Sequence, residues 1–271
     1  MSDYDVASHT KVRRIPERGH YDEETVHSII DSSLICHVGF IEQERPFVIP
    51  CIHGRDGRTL YLHGAKASRL MAESGSGKPL CITFTHVDAI VLARSLFHSS
   101  MNYRSVVAFG KGRILDGEEK MRALEVVSES LCEGRWDKAR QPTEKELRAT
   151  SVVAVDIDHA SAKIRAHEAV DDEDDLAGPW WAGLLSVESR IIEAIPNPDL
   201  SEGIETPDHI QARVGEVLSW CITPLVILSY RAELKALSTR GVSTTSRPLV
   251  IRTMGGPEGG SRDGRCREYC K

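Results

Sequence analysis

Short runs of alternating apolar and polar residues dominate the first two thirds of the chain. Leu34–Ile41, Phe47–His53, Thr59–Leu62, Leu80–Thr85, Ala89–Ala93 and Ser105–Leu115 each read as a β-strand. Glycine-bearing breaks separate them, among them Gly54–Gly57 and Gly75-Ser76-Gly77. Three segments have helical spacing instead. Asp22 can cap a helix running to about Ser32, with Val26, Ile29 and Ile30 on one face. From Gly117 to Glu133, Met121, Leu124, Val127 and Leu131 form an apolar stripe, and Gly134 ends it. Thr143 and Glu146 have the spacing of a capping box for a helix to about Thr150. Two further strands, Val152–Ile157 and Ser161–Ala166, follow. So many strands at close spacing, with few helices between them, predict a mainly β (α+β) fold: an antiparallel barrel with flanking helices rather than a βαβ sheet.

At 271 residues the chain has room for one substantial domain and a small addition. A net charge of −6, without a basic stripe interleaved with aromatics, argues against nucleic-acid binding. The seven cysteines are scattered without CxxC spacing, and Cys36, Cys51 and Cys81 sit in apolar runs, a pattern suited to a reducing compartment. The first ten residues contain no apolar signal-like run. The longest apolar run, Val217–Tyr230, is shorter than the ~20 residues a membrane helix needs, so a cytoplasmic, membrane-free protein is expected. The organisation reads as an N-terminal arm over residues 1–20, a main domain over 21–187, a flanking segment over 188–214 and an atypical, poorly ordered tail over 215–271. Asp171–Asp175 is an unbroken acidic run, read as a solvated loop rather than a metal site.

The stretch Leu60–Arg69 carries the clearest chemistry. A β-type run stops at Gly64, then Lys66, Ser68 and Arg69 arrive just before the helical start Leu70-Met71-Ala72. A hydroxyl and two cations at such a junction suit a phosphate monoester; an ordinary capped helix with solvated charges has the same pattern. A second block, Asn102–Leu115, accompanies it.

Together the two blocks resemble the FMN-binding split-barrel superfamily typified by pyridoxamine 5′-phosphate oxidase, and its flavin-nucleotide-binding branch with the nitroimidazole-resistance reductases. Cys36-His37-Val38-Gly39-Phe40, Tyr61–Arg69, Leu92-Ala93-Arg94-Ser95, Phe97-His98, Ser100–Val107 and Ala160–Arg165 carry the resemblance, whose last trace is Trp181-Ala182-Gly183. It implies a split β-barrel working as a homodimer, with FMN between the subunits and a small-molecule substrate over the flavin. Ser68 and Arg69 fall on the family's phosphate-binding pair, although Leu70 stands where the oxidase has Lys; Lys66 is a candidate replacement for that charge. Ile49, Pro50, Cys51 and His53 belong to the strand that lies along the ring and ribityl chain. His63 with Gly64, and Arg104 with Ser105, fall on further cofactor-contacting positions. Thr83 and Thr85 alternate on one strand face and can donate to the flavin edge, or simply reflect β-propensity.

His63 and His98 are the candidates for proton transfer, against the commoner role of a satisfied structural histidine. The oxidase's Arg-x-His substrate element and Glu-Phe-Trp segment have no counterpart here, so oxidation of pyridoxamine phosphate is not expected. Without a G-x-G-x-x-G fingerprint, NAD(P)H is expected only as a transient reductant. The expectation is an FMN-dependent oxidoreductase acting on a nitroaromatic or quinone-like acceptor. Its alternatives are a non-catalytic flavin-binding or flavin-sensing protein and a haem-binding split barrel.

Overall fold

Leu60 and Leu62 on one strand, Ile82 and Phe84 on another, and Val106 and Ala108 on a third all point into one apolar interior, each with 1% exposure or less. Burying each of the larger of these side chains contributes about 1.5–3 kcal/mol, which is why the alternation sets the strand faces. In the computed structural model, which describes residues 3–218, these strands form one antiparallel sheet. Its members are β1 (Gly19–His20), β2 (Cys36–Glu42), β3 (Arg45–Cys51), β4 (His53–Asp56), β5 (Thr59–Ala65), β6 (Ser76–Leu92), β7 (Ser100–Ile114), β8 (Thr150–Arg165) and β9 (Gly183–Ser186). The hydrogen-bonded order is β3-β2-β6-β7-β8-β5-β4, with β1 added beside β8 and β9 beside β6. The outermost strands β3 and β4 are not paired with each other, although only Ile52 separates them in the chain. The sheet therefore curls into a barrel with an open seam, a split β-barrel with helices on its flanks.

Helix α1 (Glu23–Asp31) packs Val26, Ile29 and Ile30 into this core, and Asp22 caps it by accepting from the Thr25 amide at 2.8 Å. Helix α2 (Arg69–Ser74) follows β5 and buries Leu70 and Met71. Helix α3 (Gly117–Leu131) lies on β4 so closely that a Cβ on Gly54 would stand 2.9 Å from the Val126 carbonyl oxygen. Its buried residues are Ala123 and Val127, whereas Leu131 of the expected stripe is 39% exposed. After the short α4 (Arg135–Lys138), α5 (Glu144–Ala149) has the capping box expected of Thr143 and Glu146. The Arg140 guanidinium beside Glu146, with bonds from Thr143, holds its carboxyl down to about 2.

Four expectations change. Leu80–Thr85 and Ala89–Ala93 are one strand, as are Val152–Ile157 and Ser161–Ala166; bulges between Val87 and Ala89 and opposite Phe109/Gly110 interrupt the alternation without ending the strand. The acidic run is not simply solvated, because the side chain of Asp171 is covered and accepts from the Arg94 amide and guanidinium, at 2.7 and 2.8 Å. Burial pushes the Asp171 carboxyl up, but the bonds from Arg94 and Ser95 outweigh it and hold the group below the usual range. The arm does more than cover the surface: Tyr4 is 1% exposed and its hydroxyl bonds His27 Nε2 at 2.8 Å, while Gly19–His20 pairs with β8. Residues 219–271, which hold most of the expected tail along with Cys221, Cys266 and Cys270, lie outside the described residues.

The β2–β3 hairpin turns on two residues, Gln43 and Glu44, both at positive φ (47° and 63°). This is the backbone of a type I′ turn, which Asn-Gly adopts with little strain and other L-residues only at a cost of about 1–2 kcal/mol each. Replacing Gln43-Glu44 by Asn-Gly is expected to raise the unfolding free energy by about 1–2 kcal/mol in urea titrations. An unchanged or lower midpoint would show that the native turn is held by contacts of Gln43 or Glu44.

Candidate functional site

The seam has two facing edges. One is β3, running backwards from Cys51 to Phe47; the other is the end of β5 and the turn after it, from His63 to Arg69. They touch near Ile52, where Cys51 Sγ donates to the His63 carbonyl at 3.8 Å. They meet again at the far end, where the Arg69 guanidinium lies 4.5 Å over the Phe47 ring and 3.1 Å from Glu42. Between these points lie Ile49 and Pro50 on β3 and Gly64 on β5, and the gap they border is the candidate slot.

Four polar residues border this slot, with different degrees of engagement. Ser68 occupies the N-cap of α2 in extended backbone, yet its hydroxyl makes no cap bond. The Arg69 side chain is half exposed despite its contact with Glu42. The Lys66 amide donates to the Ala149 carbonyl at 2.9 Å and its side chain is exposed. His63 Nδ1 is buried without a hydrogen-bond partner, and burial pushes the imidazole below its ordinary 6.5, leaving the ring neutral at pH 7. Gly64 lets Met71 of α2 close the slot from behind: a Cβ there would meet Met71 Cγ at 3.3 Å.

His53 lies next to the slot but faces inward. It is 4% exposed, its Nε2 bonds the Ile30 carbonyl at 3.1 Å, and its ring packs edge-on against Phe84. Burial also raises the Cys51 thiol above its ordinary range, so it is held as a neutral thiol.

Thr83 and Thr85 stand on the outer face of the sheet. A row of paired positions runs across this face, Pro50–His37–Thr83–Val107, and links the seam to the middle of the sheet. His37 is the bridging residue, which the sequence marked only as part of the Cys36–Phe40 motif. Thr85 pairs with Ser105, whose hydroxyl donates to the Lys163 carbonyl at 3.4 Å.

Arg104 is different. Adjacent strand residues face opposite ways, and Arg104 points inward, 2% exposed, where it forms a two-pronged ion pair with Asp88 at 3.0 and 2.8 Å. The guanidinium is thereby committed within the sheet and does not share the Thr85–Ser105 face. His98 belongs to the β6–β7 tip, where its Nε2 lies 3.1 Å from Asp172. Phe47 and Glu42, the partners of Arg69, were not singled out by the sequence, since no local pattern marks a contact between a hairpin end and a distant turn. Among the described residues, no group of three or more His, Cys, Asp or Glu side chains is placed to hold a metal ion. No helix among them is long and apolar enough to cross a membrane.

The described fold has relatives of known structure. A flavocytochrome, Anf3, from Azotobacter vinelandii superposes with a TM-score of 0.72 at 33% identity, covering 77% of this chain and 98% of that one. The FAD and haem binding protein from Mycobacterium smegmatis also superposes at 0.72, with 27% identity over 75% of this chain and 100% of that one. Among curated proteins none matches. The family described as pyridoxamine 5′-phosphate oxidase matches residues 22–164, from the cap of α1 to the last turn of the barrel wall in β8. By that match and by the extent of the likeness to the flavocytochrome, the chain belongs to the pyridoxamine 5′-phosphate oxidase family.

Proposed function

We propose that this protein binds a flavin nucleotide in the barrel seam and works as a flavin-dependent oxidoreductase on a small acceptor of the nitroaromatic or quinone type. The observation that carries the reading is the buried, unpartnered Nδ1 of His63, beside the uncapped Ser68 hydroxyl and the half-exposed Arg69 guanidinium, whose partners are Glu42 and Phe47. A buried acceptor or donor without a partner costs about 1–3 kcal/mol, so a ligand that satisfies His63 recovers that cost. Ser68 and Arg69 would hold the phosphate, and the β3 backbone from Ile49 to Cys51 would lie along the ribityl chain and ring. Bound flavin would supply hydride or electron transfer, while the residues around it orient the ring and leave one face open. The neutral His63 imidazole can share a proton with the ring edge but contributes no positive charge.

A homodimer fits the outer face next to the seam, where Ile41 and Val48 remain 64% and 66% exposed around Pro50 and Pro46. A second copy covering this face would enclose the ring, and NAD(P)H would reach it only transiently from the open side. A second reading, haem alongside flavin, rests on the names of the two relatives above, one a flavocytochrome and the other an FAD and haem binding protein.

Purified protein is expected to show a flavin spectrum that bleaches with NAD(P)H in the absence of air and recovers with a nitroaromatic. A bleach without recovery supports a binding or sensing role, and a Soret band supports the haem reading. Ser68→Ala combined with Arg69→Ala should weaken FMN binding roughly ten- to a hundredfold, the equivalent of about 1.5–3 kcal/mol for charge-assisted bonds. Unchanged affinity in the folded double variant, measured by fluorescence titration, would sink the assignment of the phosphate to this turn.

A further inference from the structure

The outer face of the sheet carries a group of cations that the seam does not use. Lys163 and Arg165 alternate along β8 and share this face, paired with Ser105 and Tyr103 of β7. Arg18 ends the short turn Pro16–Arg18 and stands beside them, because the next residue, Gly19, pairs with Lys163. Arg165 is 5% exposed. Both of its bonds leave one terminal nitrogen, Nη1, for the Asn102 side-chain oxygen and, at 3.3 Å, the His167 carbonyl. Its Nε–Nη2 edge, which can fork onto a phosphate or carboxylate, has no partner among the described residues. Arg18 donates from Nη2 to His167 Nε2 at 2.6 Å, and His167 Nδ1 donates to the Glu168 carbonyl at 3.0 Å. His167 is thus held as a neutral ring and brings no negative charge. Among the described residues no carboxylate pairs with Arg18 or Arg165, in a chain whose net charge is −6. The contrast is Arg104, equally buried on the inner side but matched by Asp88.

The arm is fixed so as to keep Arg18 there. The Val12 amide donates to the Tyr21 hydroxyl at 2.9 Å, and Ile15, a β-branched residue, is held at φ 57° and ψ 67°. Such strain persists only where the surroundings over-determine it, and it gathers at ligand clamps. Burial, and the nearby Arg18, push the Arg165 pKa down from its ordinary value, so an arriving anion would relieve two like charges at once. The same face leads back to the flavin edge. Thr85 pairs with Ser105 and Ser105 with Lys163, so two strand spacings, about 10 Å, separate Thr85 from Lys163. A molecule with its reacting ring over the flavin and an anionic group at its far end would lie along this row. Two guanidiniums and an ammonium suit the two charges of a phosphate monoester.

We propose that Arg18, Lys163 and Arg165 form a phosphate-monoester site that takes the 2′-phosphate of the nicotinamide dinucleotide, and so selects NADPH over NADH as the reductant. The choice of reductant rests on the seam being the flavin site; the affinity for phosphate does not. Arg18 gives the cleaner variant, because it is only partly exposed by the arm and its loss leaves the bonds of Arg165 to Asn102 and His167 in place.

Two measurements on the full chain test the two parts. Inorganic phosphate is titrated by calorimetry into wild type and Arg18→Gln, with excess FMN present to occupy the seam. Binding that Arg18→Gln weakens at least tenfold supports the anion site; no binding, or equal binding by both proteins, overturns it. NADPH and NADH are then compared by the concentration that gives half the maximal rate of anaerobic flavin bleaching. NADPH should act at a concentration at least tenfold lower, and Arg18→Gln should shrink that ratio below twofold. An equal response of wild type to both dinucleotides would overturn the reductant assignment and leave the flavin reading standing. Bleaching by neither would overturn the nicotinamide reductant altogether, with phosphate binding still deciding the anion site. If Arg18→Gln instead weakens FMN itself, the cations serve the flavin phosphate and the proposal fails.

Discussion

Arg104→Met is expected to destabilise the protein by about 3–5 kcal/mol, because it leaves Asp88 buried without its partner. In the native fold the two side chains are 2% and 4% exposed, and Asp88 accepts from both Nε and one terminal nitrogen of Arg104. Desolvating two charges is costly, and their mutual attraction offsets that cost only while both are present. Removing the cation alone forces the carboxylate either to remain charged in an apolar wall or to take up a proton. The paired variant Asp88→Leu with Arg104→Met removes both charges and is expected to recover most of the loss. Urea unfolding at pH 7 of the two single variants and the double variant measures this directly, as the coupling in a double-mutant cycle. A loss below about 1 kcal/mol for Arg104→Met would show the pair to be as weak as one on the surface.

A second large effect is expected from the smallest side chain. A Cβ on Gly110 would stand 2.0 Å from the backbone oxygen of Asp156 and 3.1 Å from Val155 Cγ1. Side-chain ends can swing away from such a contact, but a carbonyl inside a hydrogen-bonded ladder cannot. Gly110 sits at the register shift between β7 and β8, two long neighbouring strands whose backbones approach closely there. Gly110→Ala must separate them by more than an ångström, at a cost of about 3 kcal/mol or more. The expected result is a sharply lower urea midpoint, or insoluble protein on expression. A midpoint within 0.5 kcal/mol of wild type would mean that the close approach relaxes without cost. Gly57→Ala is a useful contrast, because its Cβ would meet nothing within 4 Å and only its φ of 58° resists the change.

What the sequence made legible follows from how local each signal is. The Asp22 cap and the Thr143–Glu146 box close within three residues, so they could be read directly. The strands could be read wherever alternation held. At His86-Val87-Asp88 a polar cluster interrupts it and looks like a turn. In the fold it is a bulge whose buried acid is matched by Arg104, sixteen residues away. Nothing near Asp88 in the chain announces that partner. The same holds for Asp171, whose bonds to Arg94 reach back 77 residues across the fold. The seam residues were legible one by one through resemblance, but their arrangement as two facing edges was not. That arrangement depends on the curl of the sheet bringing β3 beside β5. The cations of the outer face were hidden for a related reason, since β1 brings Arg18 of the arm beside the far end of β8.

Strands β3 and β4, which are not paired with each other, are consecutive in the chain, and Ile52 joins them just where Cys51 of β3 meets His63 of β5. This makes the slot a hinge with its pin at one end. The edges cannot part near Cys51 and His63 by more than a single residue's slack, whereas at Phe47 and Arg69 they are held only by a ring contact and an ion pair. On the proposed flavin reading, a ligand would meet the slot loosest at its charged mouth and tightest at the thiol end, and its phosphate would offer Arg69 an alternative partner to Glu42 and Phe47.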